Sequence, residues 1–437
     1  MGKKQDSVMP KDNILDIKVE DYINTNYREF SFFVLTDRGI PSVFDGLSNV
    51  QRLILLNAPS TLTSTGSLIG NCFAAGYHHG DVSLAGAISK LTRSYDNAYS
   101  LLSGYGFFGN SIKGASAFRY TKSVMRKETK ADIAKYAGLN NMSSDYLRLD
   151  YPMGLVTTIN GIGVGYSSII LPRKKEEIQA YIAGKQADLM PYFIDFKGKI
   201  EKQSEISFII SSDIQVSKDV VRIIDLPPFL NYDTLMDNLA EYFVNNDLGK
   251  ISASNNCKSH VDLTIKTKGL TSEQKDNLII KIIKLTKVTV KEQYIFVDGD
   301  TLVMYDTLTD YLDDFKLIKM HNDAELIEYD ISVNNYELIF LQNKLKFIDY
   351  MSKNTNLGHK EINKFIDNVL DIPDDRMRER MLGIQAYKIN NDEYHKTIAD
   401  IDQTKKNIAS LGVNLVNMRK KLSKMPRKKM RSLVTVS

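Results

Sequence analysis

The residues best suited to chemistry are Arg119 and Tyr120. They close the stretch Leu101 to Lys122, in which a glycine-rich loop, Gly104-Tyr-Gly-Phe-Phe-Gly109, leads into the small residues Ala115-Ser-Ala. A tyrosine hydroxyl is a weak nucleophile, with a pKa of about 10. A guanidinium beside it favours the phenolate and neutralises a phosphate under attack. The pair therefore offers phosphoryl transfer to tyrosine, although most Arg-Tyr pairs are surface dipeptides. The adjacent His78 and His79 hold a metal only if other ligands converge on them. The remaining histidines, 260, 321, 359 and 395, are scattered, so no zinc site is expected. The spacing Gly104-x-Gly-x-x-Gly109 matches the dinucleotide fingerprint, but no buried strand precedes it and no amphipathic helix follows. Gly161-Ile-Gly-Val-Gly165 lacks the Lys-Ser/Thr ending of a phosphate loop. Asp298-Gly-Asp300 reads as a hairpin turn and not as a metal site.

Several elements must position these groups. Asp21 to Thr36 has helical spacing of Tyr22, Tyr27, Phe30 and Val34, with aromatics on more than one face, and reads as a core helix. Leu68 to Gly76 and Val82 to Arg93 read as two helices joined by Tyr77-His-His-Gly-Asp81, the shape of a helix-turn-helix unit. Asp81 stands near the start of the second helix, where a carboxylate favours the dipole. Between 175 and 305 short alternating runs read as strands: Ile206 to Ile210, Val220 to Ile224, Val261 to Ile265, Val288 to Val297 and Leu302 to Tyr305. From Asp306 the chain reads as helical. Ile331, Leu338 and Leu345 keep a seven-residue register, as do Tyr394, Ile401, Ile408, Leu415 and Leu422. Two long helices flanking short helical patterns describe an antiparallel arm with a tip. Arg419 to Arg431 carries eight basic residues and no acid, and reads as a solvated, disordered tail that touches DNA non-specifically.

Composition sets the bounds. The chain has 437 residues, enough for two to four domains, and is 43% hydrophobic and 25% charged, as in an ordinary soluble protein. A net charge of +4 means that strong DNA binding requires positive charge concentrated locally. Two cysteines, Cys72 and Cys257, are too few for a disulfide framework. The start, Met1-Gly-Lys-Lys-Gln-Asp, has neither the apolar core of a signal peptide nor the myristoylation pattern. Tyr151 to Pro172 is uncharged and as long as a membrane span, but its glycines and hydroxyls fit a buried turn better.

Four ordered motifs resemble the type IIA DNA topoisomerases, over roughly residues 22 to 422. Gly104-Tyr-Gly-Phe-Phe-Gly109 followed by Arg119-Tyr120 is similar to the active-site segment of that family. Arg38-Gly-Ile-Pro-Ser-Val-Phe-Asp-Gly-Leu-Ser-Asn-Val-Gln-Arg52 resembles its Arg-x-Ile/Leu-Pro…Asp-Gly-Leu-Lys-Pro-x-x-Arg signature, with Ser48-Asn49 in place of Lys-Pro. Tyr77-His-His-Gly-Asp81 resembles Tyr-His-His-Gly-Glu, and Gly161-Ile-Gly-Val-Gly-Tyr-Ser with Ile170-Leu-Pro172 resembles Gly-Ile-Gly-x-Gly…Ile-Pro.

The resemblance implies an α+β multidomain fold. Its parts are an N-terminal segment (1–27), a winged-helix DNA-cleavage domain (28–155), a β-rich tower domain (156–305), a long antiparallel coiled-coil arm with a helical exit-gate tip (306–423) and a basic tail (424–437). It implies that Tyr120 bonds to a DNA 5′-phosphate, that Arg119, Arg38 and His79 serve the scissile phosphate, and that Gln51, Arg52, His78, Lys90 and Lys122 contact DNA. Ile162 is then the wedge between base pairs. Mg²⁺ and ATP are expected on a partner Toprim/ATPase chain, with this chain a homodimer on double-stranded DNA in the cytoplasm and away from membranes. In length the chain resembles the short phage-type medium subunit. The alternative from another class is a non-catalytic winged-helix DNA-binding or architectural protein with a coiled-coil dimerisation arm.

Overall fold

The computed structural model describes residues 17–140, 145–249, 253–256, 260–354, 357–385, 388–425 and 431–435. The chain folds into two compact units. One comprises 1–130, 151–312 and 429–437, and the other 131–150 and 313–428.

In the first unit, three helices, Asn49–Asn57, Thr65–Ala74 and Asp81–Thr92, lie beside a small antiparallel sheet. That sheet orders Thr63–Ser64, Lys122–Met125 and Leu102–Tyr105, with the middle strand last in sequence. Capping side chains satisfy first-turn amides of the first two helices, while the third follows Gly80 and has its Val82 N bonded to Asp81 Oδ1. Ser48 and Gln51 form a capping box, the Ser64 hydroxyl accepts from Gly66 N, and Gly80 precedes Asp81. Their apolar residues fall on one face, Leu68-Ile69-Cys72 on one helix and Leu84-Ile88-Leu91 on the next, and all are buried. The two helices expected around Tyr77 to Asp81 are thus present.

The N-terminal helix departs from its reading as a core element. Helical turns run from Val19 to Gly39, widened by an extra residue per turn at Ile23–Tyr27 and Leu35–Gly39. Tyr22, Tyr27 and Phe30 are exposed, and burial begins only at Ser31 and Phe32. The wide turns rotate successive side chains out of register, so the aromatics never line up as one face.

Farther along, Ile159–Ile162 and Ser167–Ile170 form a hairpin. A three-stranded sheet orders Lys287–Lys291, Ser207–Ser211 and Lys199–Ser204. A four-stranded sheet orders Ala253–Asn255, Asp262–Lys266, Val220–Ile224 and Asp213–Val216. Two helices, Tyr232–Asn245 and Ser272–Leu285, pack on the four-stranded sheet through Leu235, Leu239, Phe243, Leu278 and Ile282 against Val221, Ile223, Leu263 and Ile265. The alternating runs point to the strands and away from these helices, although Asn231 and the Thr271–Gln274 capping box mark their starts. The run Val288 to Val297 is two strands in different sheets. The break falls at Glu292, whose carboxylate is buried against Arg173 at 2.8 Å. Tyr294–Asp298 turns through Gly299 into Thr301–Tyr305 as expected. Of the stretch expected as a tail, Arg419 to Leu422 completes a helix and Arg431–Thr435 pairs antiparallel with Thr301–Tyr305, while 426–430 lie outside the described residues.

In the second unit, the helices Leu308–Lys353 and Asn391–Leu422 run antiparallel. Lys344 pairs with Glu393 at 2.5 Å, while Glu328 pairs with Arg419 at the far end. At 1.5 Å per residue the two helices extend about 69 and 48 Å. Between them His359–Val369 and Asp375–Leu382 form a knob around Phe347, Ile366, Leu370 and Met381. The segment 131–150 is tied to the long helix by charge. The Tyr136 hydroxyl, with one proton to donate, lies 2.5 Å from an Asp323 oxygen and 3.0 Å from an Asp150 oxygen, and Lys319 and Lys135 neutralise these carboxylates. Residues adjacent in sequence at 130 and 131 belong to different units.

Candidate active site

Tyr120 is placed by backbone. Phe118–Tyr120 is a single tight helical turn, closed by Tyr120 N donating to Ala117 O at 2.9 Å. The next residue locks it to the start of helix 65–74: Thr65 N donates to Thr121 O (3.0 Å), and the Thr121 hydroxyl donates to that of Thr65 (2.9 Å). The glycine loop explains its own composition here. Gly106 has φ 105°, and a Cβ on it would sit 3.0 Å from Tyr120 O, while one on Gly104 would overlap the Phe108 ring at 2.2 Å. The loop therefore packs backbone to backbone against the tyrosine turn. The Tyr120 side chain is left 68% exposed, and the Arg119 guanidinium lies 4.9 Å from the centre of its ring. Lys122, two residues on, is exposed.

A second group gathers at the other end of helix 65–74. After Ala74 the chain turns at Gly76 (φ 101°), buries Tyr77 and brings His79 to Asp37, Nε2 to Oδ2 3.2 Å. The His78 ring lies 4.1 Å from that of His79 and is exposed. Arg38 follows Asp37 in the Leu35–Gly39 turn, and its side chain lies outside the described residues. The hairpin bearing Ile162 abuts this turn so closely that a Cβ on Gly161 would lie 1.9 Å from Gly39 O. Ile162 ends its strand 72% exposed, whereas a core-strand residue at this place would be buried.

The structure thus brings Asp37, His78, His79 and the Ile162 hairpin together, and Arg119, Tyr120 and Lys122 together. It does not join the two groups within one chain. They lie beyond opposite ends of a ten-residue helix, about 15 Å long. Asp37 does not stand out in the sequence, because the His79 it meets lies 42 residues away and only the fold unites them.

A model of the DNA gyrase/topoisomerase IV family of A subunits matches residues 38–431, which is most of the chain. The chain belongs to this family. Among its relatives, the DNA gyrase A protein of Borreliella burgdorferi is 31% identical over 189 residues, covering 38% of this chain and 23% of that protein. DNA topoisomerase 2 of Saccharomyces cerevisiae is 24% identical over 88% of this chain and 29% of its own length. The chain thus spans less than a third of each of these two relatives. The fold is similar to the solved Plasmodium falciparum topoisomerase II DNA-binding, cleavage and re-ligation domain, with a TM-score of 0.76, 20% identity, and coverage of 92% of this chain and 64% of that one.

Within this gyrase A-type scaffold, three of the residues expected at DNA, Arg52, Gln51 and Lys90, are partly or wholly engaged within the chain. Arg52 is only 3% exposed. Its Nε donates to Asp45 Oδ2 (2.8 Å), Nη2 to Asp45 Oδ1 and Leu47 O (both 3.2 Å), and Nη1 to Asn49 Oδ1 (2.8 Å). It braces the Asp45-Gly46-Leu47 turn. Gln51 is half-buried, and its side-chain oxygen accepts from Ser48 N at 3.0 Å in the helix cap. Lys90 is half-buried, and burial holds its ammonium below the usual lysine range, with the Asp96 charge working against that shift. All three sit on helices whose apolar face is in the core, and a motif match does not show which way a side chain points.

Among the described residues, Asp37, His78 and His79 are the one group of metal-ligating side chains that converge. Two imidazole nitrogens do not fit Mg²⁺, which takes oxygen ligands in octahedral geometry. No described helix is long and apolar enough to cross a membrane.

Proposed function

We propose that this chain is the DNA-cleaving and DNA-rejoining subunit of a type IIA topoisomerase. The observation that carries the reading is Tyr120, held on a rigid turn with its side chain toward solvent and Arg119 against its ring. The Tyr120 oxygen attacks a backbone phosphorus and loses its proton to solvent. The bond from phosphorus to the 3′-oxygen breaks, and that oxygen leaves as a hydroxyl once protonated. A 5′-phosphotyrosyl link results. Attack by the same 3′-hydroxyl reverses the step, and because one ester replaces another, rejoining needs no ATP. Arg119 neutralises charge on the phosphate, and His79, held by Asp37, donates to its oxygens alongside Arg38. Ile162 enters the base stack and bends the duplex.

The split of residues across helix 65–74 supports a site completed by a second copy. A homodimer also follows from the chemistry, since one tyrosine cuts one strand and duplex passage needs two cuts related by a two-fold axis. In this reading the helices with the 102–125 sheet are a winged-helix cleavage domain, the antiparallel sheets to 305 are the tower, and the knob on the coiled-coil arm closes the exit gate. Mg²⁺ and ATP belong to a Toprim/ATPase partner, the whole acts in the cytoplasm on double-stranded DNA, and this chain plays the part of a phage-type medium subunit.

The test is Tyr120→Phe in the presence of a Toprim/ATPase partner, Mg²⁺ and supercoiled DNA. The variant should bind DNA as the parent does and form no covalent adduct. A 5′-phosphotyrosyl link recovered from the Phe variant refutes the assignment.

A further inference from the structure

We propose that Asp37, His78 and His79 form a binding site for a borderline transition-metal ion of the Zn²⁺ class. Their ligand atoms, one carboxylate oxygen and two imidazole nitrogens, all lie within 4.8 Å of one another. Zinc holds nitrogen and oxygen ligands at about 2.0–2.1 Å, so two ligands at a tetrahedral angle stand about 3.3 Å apart. His79 Nε2 and Asp37 Oδ2 are already at 3.2 Å, one edge of that tetrahedron. The His78 ring is exposed and lies 4.1 Å from the His79 ring. Its Nδ1 lies 3.4 Å from Gly76 O, a contact that gives way when the ring turns toward the ion. In the structure a 3.2 Å polar contact spans the Asp37–His79 edge, and the ion takes its place.

The scaffold argues for a defined site. His79 and Asp37 are both mostly shielded, with 16% and 23% of their side chains accessible. Tyr77, buried beneath them, makes an edge contact with the His79 ring at 5.4 Å, which fixes one ligand's plane. Nitrogen donors select against Mg²⁺ and for Zn²⁺, Co²⁺ or Ni²⁺. Three protein ligands leave a coordination position open to solvent, as in reactive rather than purely structural zinc sites. Binding of the ion does not depend on the proposed function, and its test uses no cleavage assay.

The full chain, stripped of metal, is titrated with Co²⁺ while visible absorption is followed. One equivalent should raise the ligand-field bands of a nitrogen- and oxygen-ligated ion. Zn²⁺ should abolish them, and a large excess of Mg²⁺ should not. Asp37→Asn and His78→Gln should each weaken Co²⁺ binding at least about tenfold. Binding of unchanged strength in both variants, or no saturable band in the parent, overturns the proposal. Should either variant misfold by circular dichroism, the parent alone decides. Zn²⁺ should protect His78 and His79 from diethylpyrocarbonate, read by mass spectrometry of the peptide that carries them. Equal modification with and without Zn²⁺ overturns the proposal as well.

Discussion

Asp45→Asn tests whether Arg52 is a structural residue. The substitution keeps the shape of the side chain and removes its charge. In the parent, Arg52 and Asp45 are joined by two hydrogen bonds of 2.8 and 3.2 Å, and both side chains are essentially inaccessible. Asp45 Oδ1 also accepts from Leu47 N at 2.9 Å, which closes the turn. Removing one partner of a buried ion pair leaves the other charge uncompensated and costs about 3–5 kcal/mol. At about 1.4 kcal/mol per tenfold, a loss of about 4 kcal/mol lowers the folding equilibrium about a thousandfold. Urea denaturation, followed on the transition of the first unit, should show that loss as a lower midpoint at constant slope. The double variant Asp45→Leu, Arg52→Met should recover part of it, because no charge is then stranded. That variant also separates fold from DNA. A phosphate contact contributes about 0.9 to the slope of log affinity against log salt. A buried arginine contributes nothing, so the slope should not change. Asp45→Asn within about 1 kcal/mol of the parent, or a salt slope lower by about one in the folded double variant, refutes the reasoning.

Ile162→Ala should leave stability within about 0.5 kcal/mol, since the side chain is exposed, while the bend angle of bound DNA by fluorescence transfer falls. Gly154→Ala should disrupt the first unit, because its Cβ would lie 1.7 Å from Gly46 O; loss of soluble, cooperatively unfolding protein is the readout. Burial pushes the Asp150 carboxyl up, but the hydrogen bond from Lys135 and the charges of Lys319 and Lys135 outweigh it and hold it below the usual range. The second unit should therefore keep this contribution above about pH 4 and lose it as pH falls through the depressed value, and Lys319→Met should blunt that acid sensitivity. The chain should be a dimer without DNA by light scattering and lose that state on truncation near residue 350.

Much of the architecture is legible in sequence where local rules apply. The helices around Tyr77, the strand Val220–Ile224 and the long heptad-bearing helices follow from periodicity and capping. The tyrosine turn is legible because its glycines are demanded by close backbone approach. What escapes is direction and distance. Arg52 and Lys90 carry charges that read as DNA contacts, and only packing shows one of them buried and the other half-buried. Asp37 meets His79 across 42 residues, and no periodicity announces such a pair. The exposed aromatics of the first helix mislead for a related reason, since a regular 3.6-residue wheel does not apply where the turns widen.

The pairing of Arg431–Thr435 with Thr301–Tyr305 has a mechanical consequence. Met304 stands opposite Arg431, so the two strands are the arms of a hairpin whose loop is the whole helical arm and knob. Tension in that arm arrives at one end of the ladder only. It would peel the hydrogen bonds one after another and not shear them together. A protease nick anywhere in the arm, by contrast, leaves both fragments stitched to the same sheet.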